Sequence, residues 1–412
     1  MAVRNSPMLR NRSFRRCLQS YRLCRRKRGD SMPPIKHAVL SASSAARWMR
    51  CPPSAKINAE LPDASTSYAQ EGTCAHALAE AKVRNLFHLY EKAPISIKAL
   101  MENLDYYDSE MEACTDAYAE CVSEQFEEAK KLCSDPILLV EQHLDFSNYV
   151  PQGFGTGDCV IVADKMLKII DFKYGQTLVQ AKRNPQMMLY ALGALEAFDG
   201  IYDIKTIRMT IFQPRRENIA TDEISKEELL RWAKEILQPA AALAAEGKGD
   251  FHAGEHCKFC KIKSTCRKRA EYHLSLARYD FAPPETLDCT EISVILEKVA
   301  ELVSWANDVK EYALSAALNG TKFTGFKLVA GRSNRRYIDK EAFAKAAETQ
   351  GINPYTQEVL SITAMEKRIG KKQFAELFSA YVEKPEGAPV LVPESDKREE
   401  LSTAKHDFME EM

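Results

Sequence analysis

Residues 153–190 read GFGTGDCVIVADKMLKIIDFKYGQTLVQAKRNPQMMLY, and this stretch decides the fold. The apolar runs VIV and LKII flank the polar turn ADKM, a pattern that predicts a β-hairpin followed by a helix. Antiparallel pairing across the turn would place Asp158, at the start of the first strand, near Asp171 and Lys173 at the end of the second. Two carboxylates can hold Mg²⁺ or Mn²⁺, and an ammonium can orient a water or a phosphate.

An Asp-x-Lys pair on a strand is most often a solvated face, so the neighbouring residues decide how this one is interpreted. Gly155 and Gly157 precede the first acid and allow a backbone or a ligand to approach closely. Gln186 and Tyr190 lie one turn apart on the same face of the predicted helix. Together these features indicate a functional site.

The order of these motifs resembles the core of the PD-(D/E)XK nuclease superfamily, in its RecB-like branch with an iron–sulfur cluster. Similar members are the CRISPR adaptation exonucleases and the RecB-like nucleases of phages and prophages. The resemblance covers about residues 37–270. It rests on Gly157-Asp158, Asp171-Phe172-Lys173, Gln186 to Tyr190, and an upstream Gly72, His76 and Glu80.

The resemblance implies an α/β fold, with a mixed central sheet of the restriction-endonuclease-like type flanked by helices and a helical C-terminal region. It also implies roles for individual residues. The catalytic set would be Asp158, Asp171, Lys173, Gln186 and Tyr190, and the ligands of Mg²⁺ or Mn²⁺ would be His76, Asp158 and Asp171. Without the resemblance, Gln186 and Tyr190 read equally well as packing residues, and His76 as a histidine satisfied by Glu80. Glu141 reads either as an added acid near the metal or as a solvated strand end.

Basic residues at two places are candidate DNA contacts, although a solvated surface is the default interpretation of each. Lys182 and Arg183 directly precede the Gln186 helix. Arg332, Arg335 and Arg336 belong to a predicted basic strand pair at 321–337.

Three cysteines, Cys257, Cys260 and Cys266, form the pattern Cys-x₂-Cys-x₅-Cys, in which the thiols can meet at one metal centre. A fourth ligand is required: His252 and His256 are the local candidates for a Cys₃His zinc site. The resemblance instead supplies Cys51, because its cluster-bearing members place one cysteine before the core and three after it. It thereby implies a [4Fe–4S] cluster on Cys51, Cys257, Cys260 and Cys266, with Zn²⁺ as the alternative. The proposed role of the cluster is structural.

Composition indicates a globular protein: 45% of the 412 residues are hydrophobic and 28% are charged. The net charge of −1 hides an asymmetry, because residues 1–30 contain ten Lys or Arg and one acid, which leaves the rest of the chain near −10. We predict a basic leader at 1–31, a nuclease core with its cysteines at 32–270, and a helical region with a basic hairpin and an extended tail at 271–412. Three interpretations of the leader are a phosphate-contacting arm, a targeting peptide and an upstream extension before a start at Met32; we favour the last.

The function that the resemblance implies is a metal-dependent DNA nuclease, an exonuclease acting on DNA ends or single strands in phage or prophage replication or recombination. The reaction would be in-line hydrolysis of a phosphodiester. DNA is the expected partner, with a phage single-strand-binding or annealing protein as a second, and we expect no membrane association and a cytoplasmic location. The alternative is a catalytically inactive nucleic-acid-binding scaffold with a structural zinc or iron–sulfur site.

Overall fold

The computed structural model describes residues 38–62, 66–90, 93–275, 287–327 and 361–382, and single positions between 329 and 355. The leader at 1–31, Arg332, Arg335, Arg336 and the tail from 383 lie outside the described residues. The chain divides into two compact units. The first comprises the residues up to Cys289 together with Lys298–Tyr312, and the second comprises Thr290–Glu297 and the residues from Ala313 onward.

A five-stranded mixed sheet forms the centre of the first unit, in the order β1-β2-β3-β4-β5. Strands β1 to β3 pair antiparallel, β3 and β4 pair parallel, and β4 and β5 pair antiparallel. A helix connects the parallel pair, because parallel neighbours need a crossover connection. The predicted hairpin and the mixed central sheet are confirmed. The strands are β1 (Ile137–Asp145), β2 (Phe154–Ala163), β3 (Lys165–Phe172), β4 (Ile204–Gln213) and β5 (Asn218–Ser225).

Helices cover both faces of this sheet and continue beyond it. Polar side chains cap several of them: Asp108 accepts a hydrogen bond from Met111 N at 2.7 Å, and Asn184 precedes a proline at the first helical position. The helices are α1 (Ala45–Arg50), α2 (Ser54–Glu60), α3 (Ser67–Leu86), α4 (Ile97–Glu102), α5 (Ser109–Leu132), α6 (Pro185–Phe198), α7 (Lys226–Trp232), α8 (Gln238–Glu246), α9 (Arg267–Leu274), α10 (Cys289–Leu318), α11 (Ile362–Ile369) and α12 (Lys371–Phe378).

Two hydrophobic clusters, one on each face of the sheet, form the core. Alternate residues of β2 separate accordingly: Val160 and Val162 pack on the side of α6, whereas Cys159 and Ile161 pack on the side of α3 and α5. Helix α6 is apolar around most of its circumference and is correspondingly buried between the sheet and its neighbours. The position of α6 matters for function because its first turn carries Gln186.

Two predicted elements differ from the structure. The sequence over residues 222–247 predicts one helix with Ser225 as its N-cap, but residues 218–225 form β5. Ser225 does cap α7, by accepting a hydrogen bond from Glu228 N at 3.1 Å. The misprediction has a physical reason: within the described part of the chain β5 pairs only with β4, and its side chains alternate between partly buried and exposed, so the apolar signal is weak. In the predicted strand pair at 321–337, residues 321–327 contain a turn and no strand, and nearly all of the remainder lies outside the described residues.

None of the helices in the described part of the chain has both the length and the apolar composition that crossing a lipid bilayer requires.

Candidate metal centre and cysteine pocket

The two aspartates predicted to meet across the hairpin do so. Cys159 pairs with Ile170 in the register of β2 and β3, which sets Asp158 opposite Asp171 one position further along. Asp158 Oδ2 accepts a hydrogen bond from the backbone N–H of Phe172 at 2.7 Å. The predicted proximity of the two acids is therefore confirmed.

Lys173 follows β3 directly and completes this end of the sheet. Its Nζ lies 2.8 Å from Asp171 Oδ2, and its backbone N–H donates to Phe212 O at 2.9 Å, which prolongs the pairing with β4. Burial opposes the charged form of Lys173, but Asp171 and Asp158 outweigh it and raise the pKa, so the ammonium is charged at neutral pH. Asp171 Oδ2 is buried, and the Lys173 ammonium is its charged partner.

Helix α3 brings His76 to the same point. Its Nδ1 lies 3.5 Å from Asp158 Oδ1, and the edge of its ring packs on Phe172 with the ring centroids 5.4 Å apart. Burial opposes protonation of the imidazole, but Asp158 and, further away, Asp171 outweigh it and raise the pKa of His76. Burial likewise opposes ionisation of Asp158, yet His76 and Lys173 lower its pKa, so Asp158 is an anion ready to bind a cation.

Glu141 is an additional acid at this site, and the predicted ligand set omitted it. Its backbone adopts a left-handed conformation with a φ of 50°, and it lies between the paired residues Val140 and Gln142 of β1. Val140 contacts the α5 side of the sheet, whereas Leu144 contacts the α6 side, so the strand changes faces between them. Simple alternation would keep these two residues on the same face. The only sequence signal is an acid after an apolar run, which is also typical of a solvated strand end.

Arg84 supports the backbone beside Glu141. Its Nη2 donates to Val140 O at 2.9 Å, and its Nε donates to Glu80 Oε1 at 2.6 Å. Glu80 therefore pairs with Arg84, and not with His76 as one interpretation of the sequence had it. These hydrogen bonds of Arg84 connect helix α3, which carries His76, to strand β1 next to Glu141.

The arrangement fits a hard divalent cation. One ligand atom from each of His76, Glu141 and Asp158 lies within 4.8 Å of the others, the single such group among the described residues. Around Mg²⁺, with ligands at about 2.0–2.1 Å, adjacent ligands are about 2.9 Å apart and opposite ones about 4.2 Å apart. Small side-chain movements would therefore bring these atoms to binding distances. Of the predicted ligands, Asp171 lies outside this triad, next to Lys173.

Gln186 connects the predicted catalytic residues to one another. Its Oε1 accepts a hydrogen bond from Lys173 Nζ at 3.3 Å, and its Nε2 donates to Asp171 Oδ1 at 3.2 Å and to Tyr190 Oη at 3.1 Å. The Gln186 amide thus holds the Lys173 ammonium and the Asp171 carboxylate in a fixed arrangement. Tyr190 is buried and packs at Gly155, where an added Cβ would come within 2.9 Å of its ring.

The two predicted DNA contacts before α6 are both exposed, but they differ in their surroundings. The Arg183 guanidinium pairs with Glu228, and its backbone N–H donates to Asp222 at 2.8 Å. Because Glu228 occupies the guanidinium, Arg183 is a weaker candidate for binding phosphate than Lys182.

All four predicted cluster ligands line one pocket. Cys51 follows α1, Cys257 lies within the 3₁₀ turn Glu255–Phe259, Cys260 follows that turn directly, and Cys266 precedes α9. All four thiols are free, and burial raises the pKa of Cys257. The residues completing the wall include Arg47, His252, His256, Lys263 and Arg269.

The spacing of the sulfurs bears on which group could fill the pocket. Among the residues the structure describes, no three of these cysteines bring their sulfurs within 4.8 Å of one another. A tetrahedral zinc site with Zn–S distances of about 2.3 Å would need sulfurs about 3.8 Å apart. In this structure every set of three of these cysteines therefore contains at least one sulfur pair that is wider apart than a bound zinc ion requires. His256 Nε2 donates to His252 O at 2.9 Å, and its buried Nδ1 has no hydrogen-bond partner among the described atoms.

Fold and site together define an α/β protein with a candidate metal centre at one end of a mixed sheet and a second pocket lined by cysteines. The chain belongs to the family described as protein of unknown function (DUF2800), whose profile matches residues 37–399. It is also similar to the crystal structure of SSO0001 at 12% sequence identity, over 61% of this chain and 97% of that one. The TM-score of that match is 0.25, too low to support an argument about fold.

Proposed function

We propose that the protein is a metal-dependent deoxyribonuclease of the PD-(D/E)XK type, an exonuclease that hydrolyses phosphodiester bonds at DNA ends or in single strands. One observation carries the proposal: Asp158, Asp171 and Lys173 meet at one end of the sheet beside His76, with Asp171 buried and ion-paired to Lys173. The setting that the sequence resemblance implies, phage or prophage DNA replication or recombination, belongs to the same proposal.

The order of the elements supports a restriction-endonuclease-like sheet. Helices α3 and α5 precede an antiparallel run of three strands, and α6 then leads to β4, which lies parallel to β3. The candidate residues come from the end of the central strand β3, from β2 and β1 on one side of it, and from helices α3 and α6.

The residues of the site would have different roles in the reaction. Bound at His76, Glu141 and Asp158, with Asp171 adjacent, Mg²⁺ or Mn²⁺ would lower the pKa of water and offset charge on the phosphate. The Lys173 ammonium would stabilise negative charge developing on the attacked phosphate. Gln186 holds the Lys173 ammonium and the Asp171 carboxylate in position through its hydrogen bonds, and so acts as a positioning residue.

The cysteine pocket would hold a [4Fe–4S] cluster on Cys51, Cys257, Cys260 and Cys266; the alternative is Zn²⁺ on the three clustered cysteines, with His252 or His256 as the fourth ligand. Such a group would stabilise the fold by joining residues about 200 positions apart. The order of one cysteine before the core and three after it, which the resemblance associates with a cluster, favours the cluster over a single zinc ion.

A cleavage assay tests the activity. End-labelled single- and double-stranded DNA is incubated with Mg²⁺ or Mn²⁺ and with wild type, Asp158→Ala or Lys173→Ala. We expect each substitution to reduce the rate about 100-fold or more, because each removes a charge that the transition state needs. Lys205→Ala, an exposed lysine paired with Asp203, is the matched control and should cleave like wild type. A folded wild type that cleaves neither DNA with either ion would refute the nuclease and favour the binding scaffold.

A further inference from the structure

Phe259 projects from the turn between two cysteines of the pocket. Its side chain is 74% exposed, although Cys257 and Cys260 on either side are buried. The turn is held by hydrogen bonds from Cys257 N to Gly254 O at 2.9 Å and from Cys260 N to Cys257 O at 3.0 Å. The ring is thus presented to solvent on an ordered backbone.

Asn58 fixes the same turn from a second direction. Its buried side chain accepts a hydrogen bond from Lys261 N at 2.8 Å and donates to Cys260 Sγ at 3.3 Å. Because the backbone is already ordered, a ligand stacking on Phe259 would cost little further conformational entropy.

Lys258 connects this turn to the segment that follows Lys173. Its Nζ lies 5.7 Å from the centroid of Phe259 and 3.2 Å from Thr177 Oγ1. Thr177 belongs to the segment that leads from Lys173 to α6, and the Gln213 amide holds that segment by donating to Thr177 O at 2.9 Å. An exposed aromatic ring and an ammonium therefore border the chain between Lys173 and Gln186.

We propose that Phe259 stacks on a base of single-stranded DNA while Lys258 contacts a neighbouring phosphate. Aromatic stacking combined with cationic phosphate contacts is the chemistry by which proteins bind single strands without sequence preference. A duplex presents its bases already stacked on each other, so this surface favours an unpaired strand. The inference rests on the proposed nuclease function and deepens it, because it selects single-stranded DNA as the substrate class.

The test measures binding separately from cleavage. Fluorescence anisotropy with a labelled single-stranded oligonucleotide, and with the matching duplex, is recorded in Ca²⁺ in place of Mg²⁺. Phe259→Ala should weaken single-strand binding about tenfold, the loss of one stacked base, and leave duplex binding unchanged. Phe259→Trp should bind within about twofold of wild type, since indole also stacks. Tyr381→Ala, which removes an 86% exposed aromatic from the other compact unit, is the control and should have no effect.

Three results would overturn the proposal: wild-type single-strand affinity in Phe259→Ala, an equal loss for duplex and single strand, or a parallel loss of bound iron or zinc, which would make Phe259 a structural residue. The nuclease hypothesis and the stacking hypothesis can be refuted independently of each other. A wild type that binds single strands through Phe259 but cleaves nothing refutes the nuclease alone. A protein that cleaves DNA and whose Phe259→Ala variant behaves like wild type refutes the stacking alone.

Discussion

Glu141 shows how one residue's environment changes the chemistry of the site. Burial, together with the carboxylates of Asp158 and Glu80, raises its pKa from an ordinary 4.5 to about 7. In the metal-free protein the folded state therefore holds a proton on Glu141 over a pH range in which the unfolded chain has lost it. A divalent cation would displace that proton and so bind more tightly as the pH rises.

We predict that the contribution of Glu141 to the stability of the metal-free protein falls as the pH rises from 4.5 through about 7, because the folded state holds a proton on this carboxyl that the unfolded state has lost. Glu141→Gln removes this titration and should flatten the dependence. The measurement is denaturant unfolding in EDTA at several pH values, with the difference between the two proteins plotted against pH. Parallel curves for wild type and variant would contradict the assigned pKa.

Helix α6 approaches β1 closely at Gly193, and this contact sets where Gln186 lies. A Cβ built on Gly193 would come within 2.9 Å of Leu144 Cβ and 3.2 Å of Asp145 O, which are atoms close to or within the backbone. Gly72 in α3 is a helical glycine of the opposite kind, since a Cβ there would meet nothing within 4 Å.

We predict opposite effects of alanine at these two helical glycines. Gly193→Ala should lower the free energy of unfolding by about 1–3 kcal/mol through overpacking. Gly72→Ala should raise it by about 0.5–1 kcal/mol, because alanine favours a helix over glycine. Denaturant midpoints measure both. Equal shifts would contradict the packing of α6 on β1. A loss of cleavage in a stabilised Gly72→Ala would assign that glycine to substrate approach.

At the scale of the whole molecule, the cysteine pocket brings a residue that precedes the sheet together with residues that follow it. Cys51 follows the first helix, and its three partners come after the sheet is complete. A group bound there would restrict the unfolded chain as well as stabilise the folded one.

We predict that Cys51→Ser loses most of the bound metal and lowers the thermal midpoint, whereas Cys159→Ser, a thiol outside the pocket, keeps the metal content. An anaerobic preparation is analysed for iron, zinc and sulfide, and its absorbance near 400 nm is recorded. Iron with absorbance at that wavelength supports the cluster, and stoichiometric zinc in a colourless protein supports the alternative. Unchanged metal content in Cys51→Ser would remove Cys51 from the ligand set.

Asp308 of α10 holds the residues that border this pocket. Its carboxylate lies 2.6 Å from Lys263 Nζ and accepts a hydrogen bond from Arg269 at 2.7 Å. Burial opposes its ionisation, but the two cations outweigh burial and lower the pKa of Asp308. A carboxyl group with a lowered pKa stabilises the fold above its ordinary pKa and loses this effect as the pH falls through the folded value.

We therefore predict that Asp308→Asn is less stable than wild type at neutral pH and that the difference shrinks as the pH falls below 3.8, the ordinary value. Urea unfolding at neutral and acid pH measures it. A difference that stays constant with pH would mean that Asp308 acts through packing and not through charge.

The sequence by itself determined the elements whose signals are local. The hairpin follows from two apolar runs around a polar turn, α6 from its proline start and apolar surface, and the three clustered thiols from their spacing. The proximity of Asp158 to Asp171 also followed, because pairing across a short turn leaves one register.

Only the tertiary structure decided the features that depend on distant partners. Edge strand β5 needed β4 beside it, and Arg183 turned out to be occupied by Glu228. Glu141 lies in the site because its left-handed backbone is where β1 changes faces. The preceding residue, Val140, accepts a hydrogen bond from Arg84 of α3 through its carbonyl oxygen. These features depend on contacts between residues far apart in the chain, and local patterns of polarity do not predict such contacts.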